Sequence, residues 1–201
     1  MKNIRNFTLT TIFLSIILLM ALTPIGFINL GIIKATLIHI PVIIASIVLG
    51  PRIGAFLGLM FGITSVVTNT LTPSLLSFAF SPAIPVLGTD QGSFWALFIA
   101  IVPRVILGTV PFYLHKAFKK KLHEKLSLTL AGLFATFIHT FLVMGSIALI
   151  FHDAYAQAMN ADSISAIFMA VLTVFFTNGI AEAILAAFIT ATVVPPLFKL
   201  V

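Results

Sequence analysis

Residues 126–152 read LSLTLAGLFATFIHTFLVMGSIALIFH, a run with no Asp, Glu, Lys or Arg in which His139 is the one ionisable group before the terminal His152. A bilayer core of about 30 Å needs roughly 20 apolar residues at about 1.5 Å rise per residue, so this run is long enough to cross a membrane once. The same absence of charge recurs from Asn6 to Ile33 and from Ile53 to Thr89. Over all 201 residues, 60% are hydrophobic and 8% are charged, with 20 Phe. A water-soluble globule of this composition would expose more apolar area than soluble monomers tolerate. The chain is therefore expected to be an all-α integral membrane protein. Its length accommodates about six spans in one domain, residues 1–201, without room for a soluble catalytic or ATP-binding domain.

The predicted spans run from Thr8 to Thr23, Ala35 to Leu49, Arg52 to Thr70, Ser93 to His115, Ser127 to Phe151 and Ser163 to Val194. The first follows Lys2 and Arg5 as a signal peptide would, but its apolar run continues to Leu22 with no Ala-x-Ala cleavage pattern, so it is expected to be retained. Six spans put Lys2, Arg5, Arg52, Lys116, Lys119, Lys120, Lys121, Lys125 and Lys199 on one side and Lys34 alone on the other. Nine against one predicts that both termini are cytoplasmic. The Lys119 to Lys125 cluster reads as a topology determinant near anionic headgroups, not as a nucleic-acid site.

Two stretches depart from plain spans. Gly50, Gly54, Gly58 and Gly62 recur every four residues, on one face of the third span, where small side chains let a neighbouring backbone come close. The segment from Leu71 to Gly92 is punctuated by Pro73, Pro82 and Pro85 yet stays apolar through Leu75, Leu76, Phe78 and Phe80. Prolines prevent a continuous helix there, and irregular backbone near a membrane survives only where protein or a cavity satisfies it. A lid or partly re-entrant outer loop is expected.

Ionisable groups inside spans are costly in hydrocarbon and tend to face a cavity or a partner. Arg104 lies 11 residues in from His115, His139 lies 12 in from Ser127, and Glu182 lies 12 in from Val194, all near the bilayer midplane. His39 is 10 residues in from Leu49, and Asn178 lies one turn outward from Glu182. An Arg104–Glu182 ion pair locking two helices is the first expectation, and direct anchorage of an anionic ligand by Arg104 the second.

Enzyme chemistry finds no support. HExxH, GxSxG, GxxxxGK[ST] and GxGxxG are absent, Glu182 is the only carboxylate within a span, and the five His are scattered. With no Cys there is no thiolate site, and neither a metal nor a cofactor is expected. An evident inverted repeat is also missing, which weakens a stand-alone secondary carrier.

The stretch from Lys34 through Thr36 and His39 to Ile44, then Gly50-Pro51-Arg52 with Gly54, Gly58, Gly62 and Ser65, resembles the substrate-binding S component of energy-coupling factor (ECF) vitamin transporters. Ser77-Phe78, Phe80-Ser81-Pro82, Pro103-Arg104, Leu107-Gly108 and Asn178 with Glu182 extend the resemblance over nearly the whole chain. It is most similar to the pantothenate-specific members. The resemblance implies a multi-pass protein of a bacterial cytoplasmic membrane that binds one vitamin at its outer side and associates with a membrane T subunit and two cytoplasmic ATPases. Riboflavin, hydroxymethylpyrimidine or folate as the ligand, and an autonomous carrier or channel, stay open as alternatives.

In the family, small residues four apart on the first helix face the T subunit; the nearest match here is Thr11 with Ser15. For the pocket, Lys34 and Arg104 are expected to balance a carboxylate, and His39, Thr68, Asn69 and Asn178 to bond hydroxyls and an amide. Phe78, Phe80 and Trp95 are expected to supply apolar walls, with Glu182 supporting the floor beneath Arg104.

Overall fold

The structure, a computed structural model, describes residues 2–29, 34–161 and 163–199. Hydrocarbon offers no hydrogen-bond partner to a backbone, so charge-free runs close their own hydrogen bonds as helices. They are α1 (Lys2–Leu22), α2 (His39–Leu49), α3 (Pro51–Leu71), α4 (Trp95–Phe118), α5 (Glu124–Ile150), the short α6 (His152–Met159), α7 (Ile164–Val174) and α8 (Ile180–Phe198). A π turn, Phe175–Gly179, joins α7 to α8.

Among the described residues, five helical stretches are long and apolar enough to cross a membrane: Ile4–Leu22, Pro51–Leu71, Trp95–Phe118, Glu124–Ile150 and Ile164–Phe198. Their outward faces are apolar too, with Phe7, Leu19, Phe56, Phe98, Phe134, Phe141 and Phe188 all exposed. Water would penalise that surface and lipid does not. This is a membrane protein.

The second expected span is corrected. Lys34–Thr36 (β2) pairs antiparallel with Phe27–Asn29 (β1), Phe27 opposite Thr36 and Asn29 opposite Lys34, so the helix begins at His39 and not at Ala35. The all-α expectation holds for the bundle, beside which the described residues form one small hairpin. At 11 residues α2 is about 16 Å long by its rise per residue, shorter than a bilayer core. Its residues from His39 to Val48 are all buried, and it packs on α1, α3, α4 and α8. A helix apolar on every side is stable only inside other helices.

Close backbone approach joins α3 to α4. A Cβ at Gly54 would collide with the Gly108 carbonyl and one at Gly58 with the Arg104 carbonyl, while at Gly62 it would lie 2.8 Å from the Ala100 carbonyl. The descending partners make the two helices antiparallel. Gly50 stands apart from this face: it precedes α3 with φ +95°, a turn between α2 and α3 that an L side chain would strain.

The 72–94 connection is packed, in keeping with its apolar residues. Ser77, Phe78, Ala79 and Ser81 are buried. Asn69 Oδ1 accepts from Ser77 Oγ at 2.7 Å, and the Thr70 and Ser81 hydroxyls lie 2.6 Å apart. Two apolar cores result. One gathers Ile17, Ile43, Leu57, Phe61, Leu107 and Val194 from α1 to α4 and α8; the other lies beneath the connection and holds Phe78, Ile99, Ile147, Phe151, Tyr155 and Ile167.

Candidate ligand-binding site

Polar side chains interrupt the apolar interior where the two cores meet. Pro103 has no amide hydrogen, so within α4 the Ile99 carbonyl lacks the donor that four residues on would normally bring to it. Arg104 supplies one: its Nη1 donates to Ile99 O at 2.7 Å. The same guanidinium lies 4.9 Å from the Phe80 ring centre and 5.5 Å from that of Phe61, between one aromatic ring of each core. It is 7% exposed, and its Nε has no partner.

His39 opens α2 directly after the hairpin. Its Nδ1 lies 2.6 Å from the Thr36 carbonyl, and the Thr36 amide donates to Glu182 Oε1, also at 2.6 Å. The backbone of one β2 residue is thereby met on either side, its carbonyl by a side chain of α2 and its amide by one of α8. The His39 ring stacks on His139 of α5 at 6.3 Å and 12°, and His139 is 6.3 Å from Phe61. His39 Nε2 and His139 Nε2, like Arg104 Nε, are buried without hydrogen-bond partners. Buried polar atoms are rarely left so, and three in one cluster mark a place built to meet polar groups from elsewhere.

The expected ion pair between Arg104 and Glu182 is not formed. The guanidinium bonds the Ile99 carbonyl and the carboxylate bonds the Thr36 amide, while the ion pairs Lys119 with Glu124 and His152 with Asp153 lie elsewhere. Among the described residues, Arg104 therefore has no carboxylate in contact with it.

A model of the "ECF transporter, substrate-specific component" family matches residues 5–194. The chain belongs to that family. It is 41% identical over 167 residues to the pantothenic acid transporter PanT of Lactococcus lactis subsp. cremoris, covering 83% of this chain and 79% of the relative. It is also 33% identical over 127 residues to the pantothenate transporter PanT of Leuconostoc mesenteroides subsp. mesenteroides, covering 60% and 54%. This is a transport protein and not an enzyme, which agrees with the missing catalytic motifs.

Among the residues singled out from sequence, the structure of this S component gathers His39, Phe80, Arg104 and Glu182 into one cluster. Others lie elsewhere. Thr68 Oγ1 donates to Thr64 O at 2.9 Å within α3, and Asn69 Nδ2 donates to Ser65 O at 2.8 Å while its Oδ1 holds Ser77. Asn69 thereby ties α3 to the 72–94 connection, and the Thr68 hydroxyl is engaged within its own helix. Phe78 packs edge-on against Phe151 at 5.6 Å, inside the second core. Trp95 is 59% exposed at the start of α4 and contacts Phe98, so it faces outward as a border aromatic and lines no interior wall. Asn178 sits half-buried in the π turn, which breaks the regular α spacing assumed between it and Glu182. The backbone of Lys34 closes the hairpin, but its side chain lies outside the described residues. Thr11 and Ser15 are both exposed on α1, on the face away from the buried Phe13 and Ile17.

Two partners of Arg104 and His39, His139 and Phe61, were not among the expected pocket residues. His139 had the right depth, as the one ionisable group in the middle of a charge-free run, whereas Phe61 carries no mark that separates it from the other 19 Phe.

Proposed function

We propose that this protein captures pantothenate at the outer face of a bacterial cytoplasmic membrane, as the vitamin-binding subunit of an ECF importer. In this reading it works with a membrane T subunit and two ATPases that supply the energy. It is a single domain of six spans with both termini in the cytoplasm, α2 and the hairpin together making the second crossing.

One observation carries the reading: a buried Arg104 with no carboxylate in contact and an unpartnered Nε. A cation in hydrocarbon is expensive, and an anionic ligand seated on it supplies the missing counter-charge. Pantothenate brings a carboxylate together with an amide and two hydroxyls, groups suited to the neighbouring imidazoles. The names of both relatives favour the same vitamin. Phe61 and Phe80 form the apolar walls, Lys34 and Asn178 approach the ligand from the hairpin and the π turn, and Thr11 with Ser15 presents the α1 face to the T subunit.

Calorimetry on the detergent-solubilised protein, followed by radiolabelled uptake, tests this. Pantothenate is expected to bind the isolated protein, and uptake is expected only when the T subunit and ATPases are present. Preferential binding of riboflavin, folate or hydroxymethylpyrimidine would refute the vitamin assignment. Pantothenate transport by liposomes holding this chain alone would refute the division of labour.

A further inference from the structure

The three unpartnered nitrogens differ in what they can do. Arg104 Nε carries a hydrogen and only donates. His39 is constrained by its neighbour: a carbonyl oxygen only accepts, so the Nδ1 that faces Thr36 O at 2.6 Å must carry the ring hydrogen. In the neutral imidazole this leaves Nε2 as a lone-pair acceptor, buried and unmet. The Thr36–Leu37 peptide that carries this oxygen is not free to turn away, because its N–H, on Leu37, donates to Gly26 O at 2.9 Å. The ring cannot swing freely either, since it is 1% exposed and stacked on His139. A donor at Arg104 and an acceptor at His39 thus stand in one buried cluster, joined through Phe61 and His139.

We propose that His39 is a specificity-determining residue whose Nε2 accepts a hydrogen bond from the ligand, so that the site selects a carboxylate bearing an N–H or O–H donor elsewhere in the same small molecule. The proposal rests on the pantothenate reading and narrows it. A simple fatty acid or dicarboxylate satisfies Arg104 and leaves His39 unmet, whereas pantothenate offers an amide N–H and two hydroxyls. The Gly26 carbonyl, by accepting from the Leu37 amide, holds the peptide whose oxygen sets the tautomer.

The test varies the ligand before the protein. Affinities of the wild-type protein are measured by calorimetry for pantothenate, for its ester analogue in which oxygen replaces the amide N–H, and for analogues lacking one hydroxyl or the other. One of these is expected to bind about tenfold or more weakly, as a buried acceptor left unmet implies, and its identity says whether the amide or a hydroxyl is read. In His39→Leu, pantothenate should fall to the affinity of that analogue and the difference between them should vanish. His39→Gln, whose Oε1 accepts, should restore part of it. Equal wild-type affinity for all four ligands would overturn the proposal, as would full discrimination by His39→Leu. Should His39→Leu fail to fold, the wild-type series and His39→Gln still decide. A wild-type protein that does not bind pantothenate at all would instead overturn the reading beneath, a result distinct from a flat analogue series.

Discussion

Arg104 Nη1 occupies the Ile99 carbonyl at 2.7 Å, the place in α4 that the Pro103 amide would take in an uninterrupted helix. The guanidinium is thereby pinned by its own helix, and the adjacent pair Pro103-Arg104 acquires a mechanical meaning: the proline frees the carbonyl that aims the arginine.

Pro103→Ala returns an amide to compete for Ile99 O. Proline costs about 3 kcal/mol in a helix interior, so thermal stability should hold or rise. Pantothenate affinity should nevertheless fall about tenfold, in line with one lost orienting hydrogen bond. Calorimetry and a melting curve on the same sample separate the two effects; unchanged affinity would show that Arg104 needs no such anchor.

Because Arg104 and Glu182 have separate partners, they should not behave as a pair. Arg104→Met is expected to abolish pantothenate binding, and Glu182→Gln to weaken it modestly. Their charges attract across the cluster without touching, so the combination should fall only slightly short of the sum of the two losses. A double variant more stable than both single variants would restore the ion-pair reading.

The cost of charge in hydrocarbon made the main architecture legible. Sparse charge announced α3, α4 and α5 to within three residues, and α1 with its start six residues late, while the four-residue glycine period announced the α3 face that receives α4. The start of α2 was not legible, because Lys34–Thr36 is a three-residue strand too short to display a period. Depth counting brought Arg104, His139 and Glu182 to one level but could not name their bonds. Two of those bonds go to backbone atoms, Ile99 O and the Thr36 amide, and a main-chain partner leaves no signature in the residue that owns it. The outward turn of Trp95 depends on rotation about the helix axis, which a border position alone does not set.

Glu182 tethers the hairpin to α8 through Thr36. Glu182→Leu leaves that amide without its acceptor and should cost about 1–3 kcal/mol, whereas Glu182→Gln keeps an oxygen in place and should cost less. Hydrogen exchange at the Thr36 amide should accelerate in the leucine variant alone. Equal protection in both would mean that the hairpin is held by its own pairing.

Glycine contacts give a matched pair of opposite sign. Gly58→Ala drives a methyl group against the Arg104 carbonyl, so α3 and α4 must separate, at about 1–3 kcal/mol, and ligand affinity should fall with the shift of Arg104. A Cβ at Gly145 of α5 meets nothing within 4 Å, so Gly145→Ala should raise stability by up to about 1 kcal/mol through helix propensity. Melting temperatures in one detergent compare the two directly, and a harmless Gly58→Ala would mean the helices have room to slide.

Orientation is testable with little background because the chain has no cysteine. Asp90 and Asp153 are exposed in the connections at one end of the bundle, and Lys120 is exposed beyond the C-terminal end of α4. Nine cations against one predict a cytoplasmic Lys120 end, since translocating a cluster of lysines is disfavoured. A membrane-impermeant maleimide should therefore label Asp90→Cys and Asp153→Cys in intact cells, and Lys120→Cys only after permeabilisation. Each substitution replaces an exposed side chain, so folding should be spared. Labelling of Lys120→Cys in intact cells, with Asp90→Cys protected, would invert the protein in the membrane and place the hairpin and the 72–94 connection on the cytoplasmic side. An outward-facing capture site under those elements could not then stand.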